Sequence, residues 1–337
     1  MNKNTLTFLA GALLILLLIV YTADQSENDV EKTDQERLFL PSLSNKINEI
    51  SRISISDGKM VINITRNEQS WLLPDKDNFR ADFSEVKALL VGLSALQKFE
   101  AKTSKSEHYT KLGVQDPDGG DPSNIEIKLY ISDEVFVGVI LGKNKPGTIP
   151  MVYARKPGES QAWLLKGRVS APKTVDAWLD RKILDIPSSR VKQVSIIKPG
   201  TKATIIHKDK MEDSYFTIKN MPKNKSLSSA NAADPVAGAL QNLRFQNVRG
   251  SKDQTIASMK GSVKAVYETL DGLILTALTA KEEDNWLLQL DFDVTQDAQP
   301  ETINEKEQLD RLLGKWVFTI APFNGENLRK GLEDLTK

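Results

Sequence analysis

A stretch near residue 50 returns near residue 191, and that recurrence restricts the chain to an architecture built twice. The first copy opens Ile50-Ser-Arg-Ile53-Ser-Ile55 and the second opens Val191-Lys-Gln-Val194-Ser-Ile196. The apolar residues keep one spacing, and each run ends in the alternation of a half-buried strand. A second strand follows in each, Met60 to Ile64 and then Ala203 to His207. An aromatic strand comes next, Ser70-Trp71-Leu72-Leu73 and then Ser214-Tyr215-Phe216-Thr217-Ile218.

Two helix starts carry the dipeptide Ala-Asp. In Ala81-Asp82-Phe83-Ser84-Glu85-Val86, Asp82 can accept from the free amides of the first turn, and Glu85 completes a capping-box pattern. Phe83, Val86, Leu89, Leu90, Leu93 and Leu96 share one helical face. In Ala233-Asp234-Pro235-Val236, Asp234 is the expected cap and Pro235 the first helical residue. Val236, Ala239, Leu240 and Leu243 form its apolar stripe.

Each copy then returns to strands. The first offers Ile125 to Ile131, Val135 to Leu141, Pro150 to Arg155 and Gln161 to Leu165. The second offers Ser262 to Glu268, Leu273 to Ala280, Trp286 to Phe292 and Trp316 to Ile320. Closing helices are expected over Thr174 to Leu184 and Asn324 to Leu335, and Asp297 to Asp310 reads as an acidic loop.

The N-terminus adds a different constraint. Leu6 to Ala23 is an apolar run of about 18 residues, just long enough as a helix to cross a hydrocarbon core of about 30 Å. Cleavage after Ala23 or Thr22 would put Tyr21 or Val20 at the −3 position, where a signal peptidase needs a small residue. A retained anchor is therefore the expectation. Lys3 precedes the run, whereas Asp24, Glu27, Asp29 and Glu31 follow it before Lys32. The positive-inside rule then keeps the N-terminus cytoplasmic and exports the bulk.

The resulting expectation is an α+β fold. An N-terminal transmembrane helix precedes two tandem repeats of a mainly antiparallel β module with two helices each. The boundaries are 1–23 for the anchor, 24–46 for a polar linker, 47–187 for the first repeat and 188–337 for the second. Gln35 to Leu40 reads as the beginning of a short helix before Pro41.

Composition excludes several functions. Lys+Arg and Asp+Glu are equal at 45 each in 337 residues, so no basic footprint for nucleic acid exists. The chain has no cysteine, which removes disulfides, thiolate metal sites and a lipoprotein anchor. No second apolar run reaches spanning length, so the chain is not a multi-span transporter.

Searches for chemistry return only structural motifs. The two histidines, His108 and His207, lie in different copies without neighbours at metal-ligand spacing. Asp116-Pro-Asp118-Gly-Gly-Asp121-Pro-Ser-Asn124 resembles a calcium loop, but its glycines and acids fall at the wrong places and suit a turn. Asp291-Phe-Asp293 is what alternation on a strand produces. Ser170-Ala-Pro-Lys173 lacks the companion elements of a Ser–Lys nucleophile. Gly142-Lys143 and Gly314-Lys315 lack the remainder of a phosphate-binding loop. The five tryptophans, Trp71, Trp163, Trp178, Trp286 and Trp316, read as core filling. No catalytic, cofactor-binding or metal residue is assigned, and no cofactor.

The ordered features together resemble a family catalogued as a domain of unknown function in bacterial envelope proteins. The resemblance rests on Trp71-Leu-Leu73, Ala81-Asp82, Val86, Leu89, Leu90 and Leu93. It continues in Trp316-Val-Phe318, Asn327-Leu328 and Leu332-Glu-Asp-Leu335. Tyr109-Thr-Lys-Leu112-Gly departs from the Tyr-Gly-Leu usual there. Members of that family are typically encoded beside gliding-motility-type ABC transporter components, including an auxiliary subunit. The resemblance thus implies a non-catalytic accessory of an ABC-type envelope system, held in the membrane through residues 6–23, with a permease or auxiliary subunit as partner. The alternatives are an envelope module binding glycan, peptide or lipid, and an enzyme using Asp291 and Asp293.

Overall fold

The computed structural model describes residues 36–337, apart from 69, 119, 122, 211, 220 and 252–254. It divides into two compact units. One holds the described residues up to Asp75 together with Arg80–Leu179, and the other holds Lys76–Phe79 with Asp180–Lys337.

The strands of the first sheet are β1 Arg52–Ser56, β2 Val61–Asn67, β3 Ser70–Leu73, β4 Phe79–Arg80, β5 Gln97–Thr103, β6 Ile125–Ile131, β7 Glu134–Lys145, β8 Met151–Arg155 and β9 Ala162–Lys166. They lie in the order β4-β3-β2-β1-β6-β7-β8-β9-β5. The second sheet uses β10 Lys182–Leu184, β11 Val191–Ile197, β12 Thr204–His207, β13 Thr217–Ile218, β14 Leu243–Gly250, β15 Val263–Thr269, β16 Leu273–Glu282, β17 Asn285–Val294 and β18 Trp316–Ile320. Its order is β10-β14-β18-β17-β16-β15-β11-β12-β13. With β4 and β10 set aside, the two orders are the same path, β3 matching β13 and β5 matching β14. The likeness extends to the segment ahead of each path. Leu38 bridges Gln97 at the start of β5, as β10 pairs with Leu243 and Arg244 at the start of β14.

Alternation explains the central strands. β1 buries Ile53 and Ile55, and its antiparallel partner β2 buries Ile64 and Ile62 directly opposite. In the second unit β11 buries Val194 and Ile196, opposite Tyr267 and Ala265 of β15. A long helix backs the first core. α1, Phe83–Ser94, is capped by Asp82, whose Oδ1 accepts from the Ser84 amide at 2.8 Å. Val86, Leu89, Leu90 and Leu93 are its buried stripe.

The α+β expectation with two helices per module is corrected: the protein is mostly β, two large antiparallel sheets with few helices. The expected helices differ segment by segment. Thr174 to Leu184 is not a helix but a short 3-10 turn, Val175–Trp178, followed by β10. Trp178 is fully buried, and its carbonyl accepts from the Asp82 amide at 2.7 Å while Leu179 bridges Ala81. These cross-chain bonds take the groups that a helix would spend internally.

The stretch from Ala233 to Leu243 keeps a single turn, α3, Asp234–Ala237, after the short α2, Tyr109–Leu112. Asp234 does not cap it; its Oδ1 accepts from the Phe216 amide at 2.8 Å instead. Leu243 begins β14. Conversely, the acidic stretch read as a loop is the longest helix described, α4, Pro300–Leu313. The closing region is two short helices, α5 Pro322–Asn327 and α6 Leu332–Leu335. The predicted transmembrane helix over 6–23 lies outside the described residues. Among the described residues, no helix is long and apolar enough to cross a membrane.

Candidate functional site

A cleft with a volume of about 780 Å³ lies in the second unit. That is within the range of about 300–1,000 Å³ typical of ligand sites. Its apolar floor is Ile256, Met259 and Val317, which belong to a small apolar cluster with Ala280, Leu287 and Leu278. The 3-10 turn Ile256–Ser258 roofs this cluster because Gln289 Oε1 accepts from the Ile256 amide at 3.1 Å.

Three charged groups stand around the floor. Arg249 on β14 and Glu282 at the end of β16 form a two-point contact at 3.1 and 3.0 Å. Their hydrogen bonds raise the Arg249 pKa and hold Glu282 below the ordinary carboxylate value. Asp77, held at a positive φ of 55°, accepts from the Gly250 amide at 2.9 Å. Lys76 Nζ donates to Asn247 Oδ1 at 2.9 Å. Alternation along β14 explains the amide. The Ser251 amide bonds back to Lys315, so the Gly250 amide faces the outer edge, where Asp77 supplies the oxygen that a neighbouring strand would supply.

Arg249 and Glu282 are thus spent on each other, and Asp77 on a backbone amide. An ionised Glu282 has no proton to give, and the hydrogen bonds from Arg249 make it a weak base. The Ser258 hydroxyl donates to the Thr255 carbonyl at 3.4 Å. What the arrangement offers is a polar rim over an apolar floor, which is suited to binding.

The residues singled out in the sequence are scattered. His108 lies 3.5 Å from Glu107 on an exposed turn, and His207 Nδ1 meets the Lys208 carbonyl at 3.1 Å. In the Asp-rich loop, Asp116 accepts from Arg155, Asp118 from the Gly120 amide, and Asp121 from the Ser123 amide and hydroxyl. Each carboxylate there is satisfied as turn chemistry requires. Asp291 and Asp293 are both exposed on β17, either side of buried Phe292. Ser170 and Lys173 fall in the irregular segment after β9.

Trp71 and Trp178 are buried. Trp163 sits beneath Lys98, Trp286 lies against Gly325, and Trp316 meets Phe79 edge-on at 4.9 Å. Among the described residues, no group of three His, Cys, Asp or Glu stands together to hold a metal. Asp77, Arg249 and Glu282 carried no local signal, because each comes from a separate part of the chain and no spacing links them.

A family model described as "Domain of unknown function (DUF4340)" matches residues 71–260, over half of the chain. No curated protein and no solved structure matches.

Proposed function

The chain belongs to this DUF4340 family, and from that premise we propose a non-catalytic accessory protein of an ABC-type envelope transport system. It is anchored at the bacterial inner membrane through Leu6–Ala23, with its two units on the periplasmic side. The observation that carries the non-catalytic reading is the pairing of charge in the cleft of the second unit, Arg249 with Glu282 and Asp77 with a backbone amide. Such groups shape a surface; they do not supply an acid, a base or a nucleophile. The membrane placement is supported by the apolar run and by Lys3 before it. The transporter association is supported by the resemblance to envelope proteins encoded beside such systems.

Gentle detergent extraction and pull-down of the tagged full chain tests this reading. Co-recovery of a permease or auxiliary subunit is the expected result, and recovery of no membrane partner overturns it. A C-terminal reporter active only in the cytosol overturns the placement.

The volume of the cleft favours one second reading, an envelope module that binds a glycan, peptide or lipid. Ligand stabilisation raises the melting temperature by mass action, and the shift should vanish when Arg249 and Glu282 are both replaced.

A further inference from the structure

We propose that the groove beside α1 in the first unit docks an apolar segment of a partner protein that carries carboxylates. The groove holds about 240 Å³. Its floor is Trp71 with Leu90, and its rim is Phe83 and Val91, exposed by 63% and 48%. Phe83, Lys87, Leu90 and Val91 recur at helical spacing, so they form one stripe along the helix. Two large apolar side chains held in water at the lip of an apolar trough mark a surface that a partner covers.

Charge identifies that partner. The charged side chains lining the groove, Arg66 and Lys87, are both cations. Arg66 donates to the Asn48 carbonyl at 2.6 Å and stands 6.0 Å from the Trp71 ring. Among the described residues, no carboxylate pairs with either cation. An apolar trough with unmatched positive charge complements apolar side chains carried beside Asp or Glu.

Size decides between a whole ligand and a chain segment. A volume of about 240 Å³ falls below the roughly 300–1,000 Å³ of sites that enclose a small molecule. The groove therefore takes individual anchoring side chains, as helix-in-groove recognition does at positions i, i+3 or i+4, and i+7. This deepens the accessory reading and rests on it for the supposition of a protein partner.

The test uses the purified full chain in amphipol and two dye-labelled synthetic helical peptides. One carries a Leu stripe flanked by Glu, and the other has Lys for every Glu. The acidic peptide should bind about fivefold tighter, the size of one or two exposed ion pairs. Lys87→Glu should abolish the preference, because Arg66 then faces a carboxylate of opposite charge in the same groove, and Phe83→Ala should weaken the acidic peptide about tenfold. Both side chains are exposed, so an unchanged melting curve is the control for folding. Equal binding of the two peptides overturns the proposal, as does an unaltered preference in Lys87→Glu.

A photo-crosslinker at position 83 in native membranes should react with a peptide that carries Asp or Glu beside large apolar residues. Adducts to lipid, or to a second copy of this chain, overturn the assignment. If the Phe83→Ala, Lys87→Glu double variant still retains its membrane partner in a pull-down, the groove fails and the accessory reading stands. If the wild type retains none, the accessory reading fails and the peptides alone decide the groove.

Discussion

The guanidinium of Arg190 holds the carboxylate of Asp271 through three contacts of 2.7 to 3.1 Å, across 81 residues of sequence. Glu305 of α4 closes on the same guanidinium, and the Thr302 hydroxyl donates to the Asp271 carbonyl at 3.1 Å. This network seats the longest described helix on the turn between β15 and β16.

Its pH dependence has a definite sign. The hydrogen bond from Arg190 lowers the Asp271 pKa from 3.8 to about 2. A carboxyl with a depressed folded value contributes stability above its unfolded value and loses it as pH falls through the folded one. Urea midpoints of the wild type should therefore drop as pH falls from 3.8 towards 2. Asp271→Asn should be less stable at neutral pH and flatter across that window. Parallel curves for the two proteins would refute the linkage.

Gly92 sets two effects against each other. Alanine in place of glycine inside an exposed helix ordinarily gains about 1 kcal/mol. Here a Cβ would lie 2.8 Å from the Arg168 backbone oxygen, closer than such atoms tolerate. The clash is with backbone, so relief requires α1 or the segment after β9 to move, at about 1–3 kcal/mol. Gly92→Ala should lower the melting temperature, and a rise would show that the two segments separate freely.

Trp178 is the largest side chain with no exposure, and its indole N–H donates to the Pro172 carbonyl at 3.0 Å. Trp178→Ala should cost about 3–5 kcal/mol in chemical denaturation. Trp178→Phe keeps most of the volume but leaves the carbonyl without its donor, for about 1–3 kcal/mol. A Phe variant as unstable as the Ala variant would mean that the hydrogen bond of the indole, not the volume it fills, governs this site.

The Arg249–Glu282 pair should contribute little to stability. Its side chains are 54% and 43% exposed, and solvent screens such pairs. A double-mutant cycle should return a coupling of under about 1 kcal/mol, falling further at high salt. A larger, salt-independent coupling would indicate a drier cleft than the geometry describes.

Much of the strand content was legible because burial wrote it into the pattern. Ile125–Ile131 was read and found with the same bounds, since every second residue faces a core. β5 was invisible for the opposite reason. Gln97–Thr103 is almost wholly exposed, and Lys98, Glu100 and Lys102 with two register shifts blunt it as a sheet edge. α4 was missed because polar anchors hold it, Glu305 on Arg190 and Thr302 on Asp271, with buried Leu313 at its end. Asp234 shows a local rule overruled: a well-placed capping residue serves a distant amide instead.

The sequence by itself determined the recurring strand openings, the Asp82 cap and the apolar face of α1, because each depends on neighbours within a few residues. Only the tertiary structure decided which strands lie together, that Arg249 faces Glu282, and that Arg66 and Lys87 share one groove. Those relations depend on distances between residues far apart in the chain. Hydrogen-bond satisfaction across the sheets sets such distances, and local periodicity does not encode them.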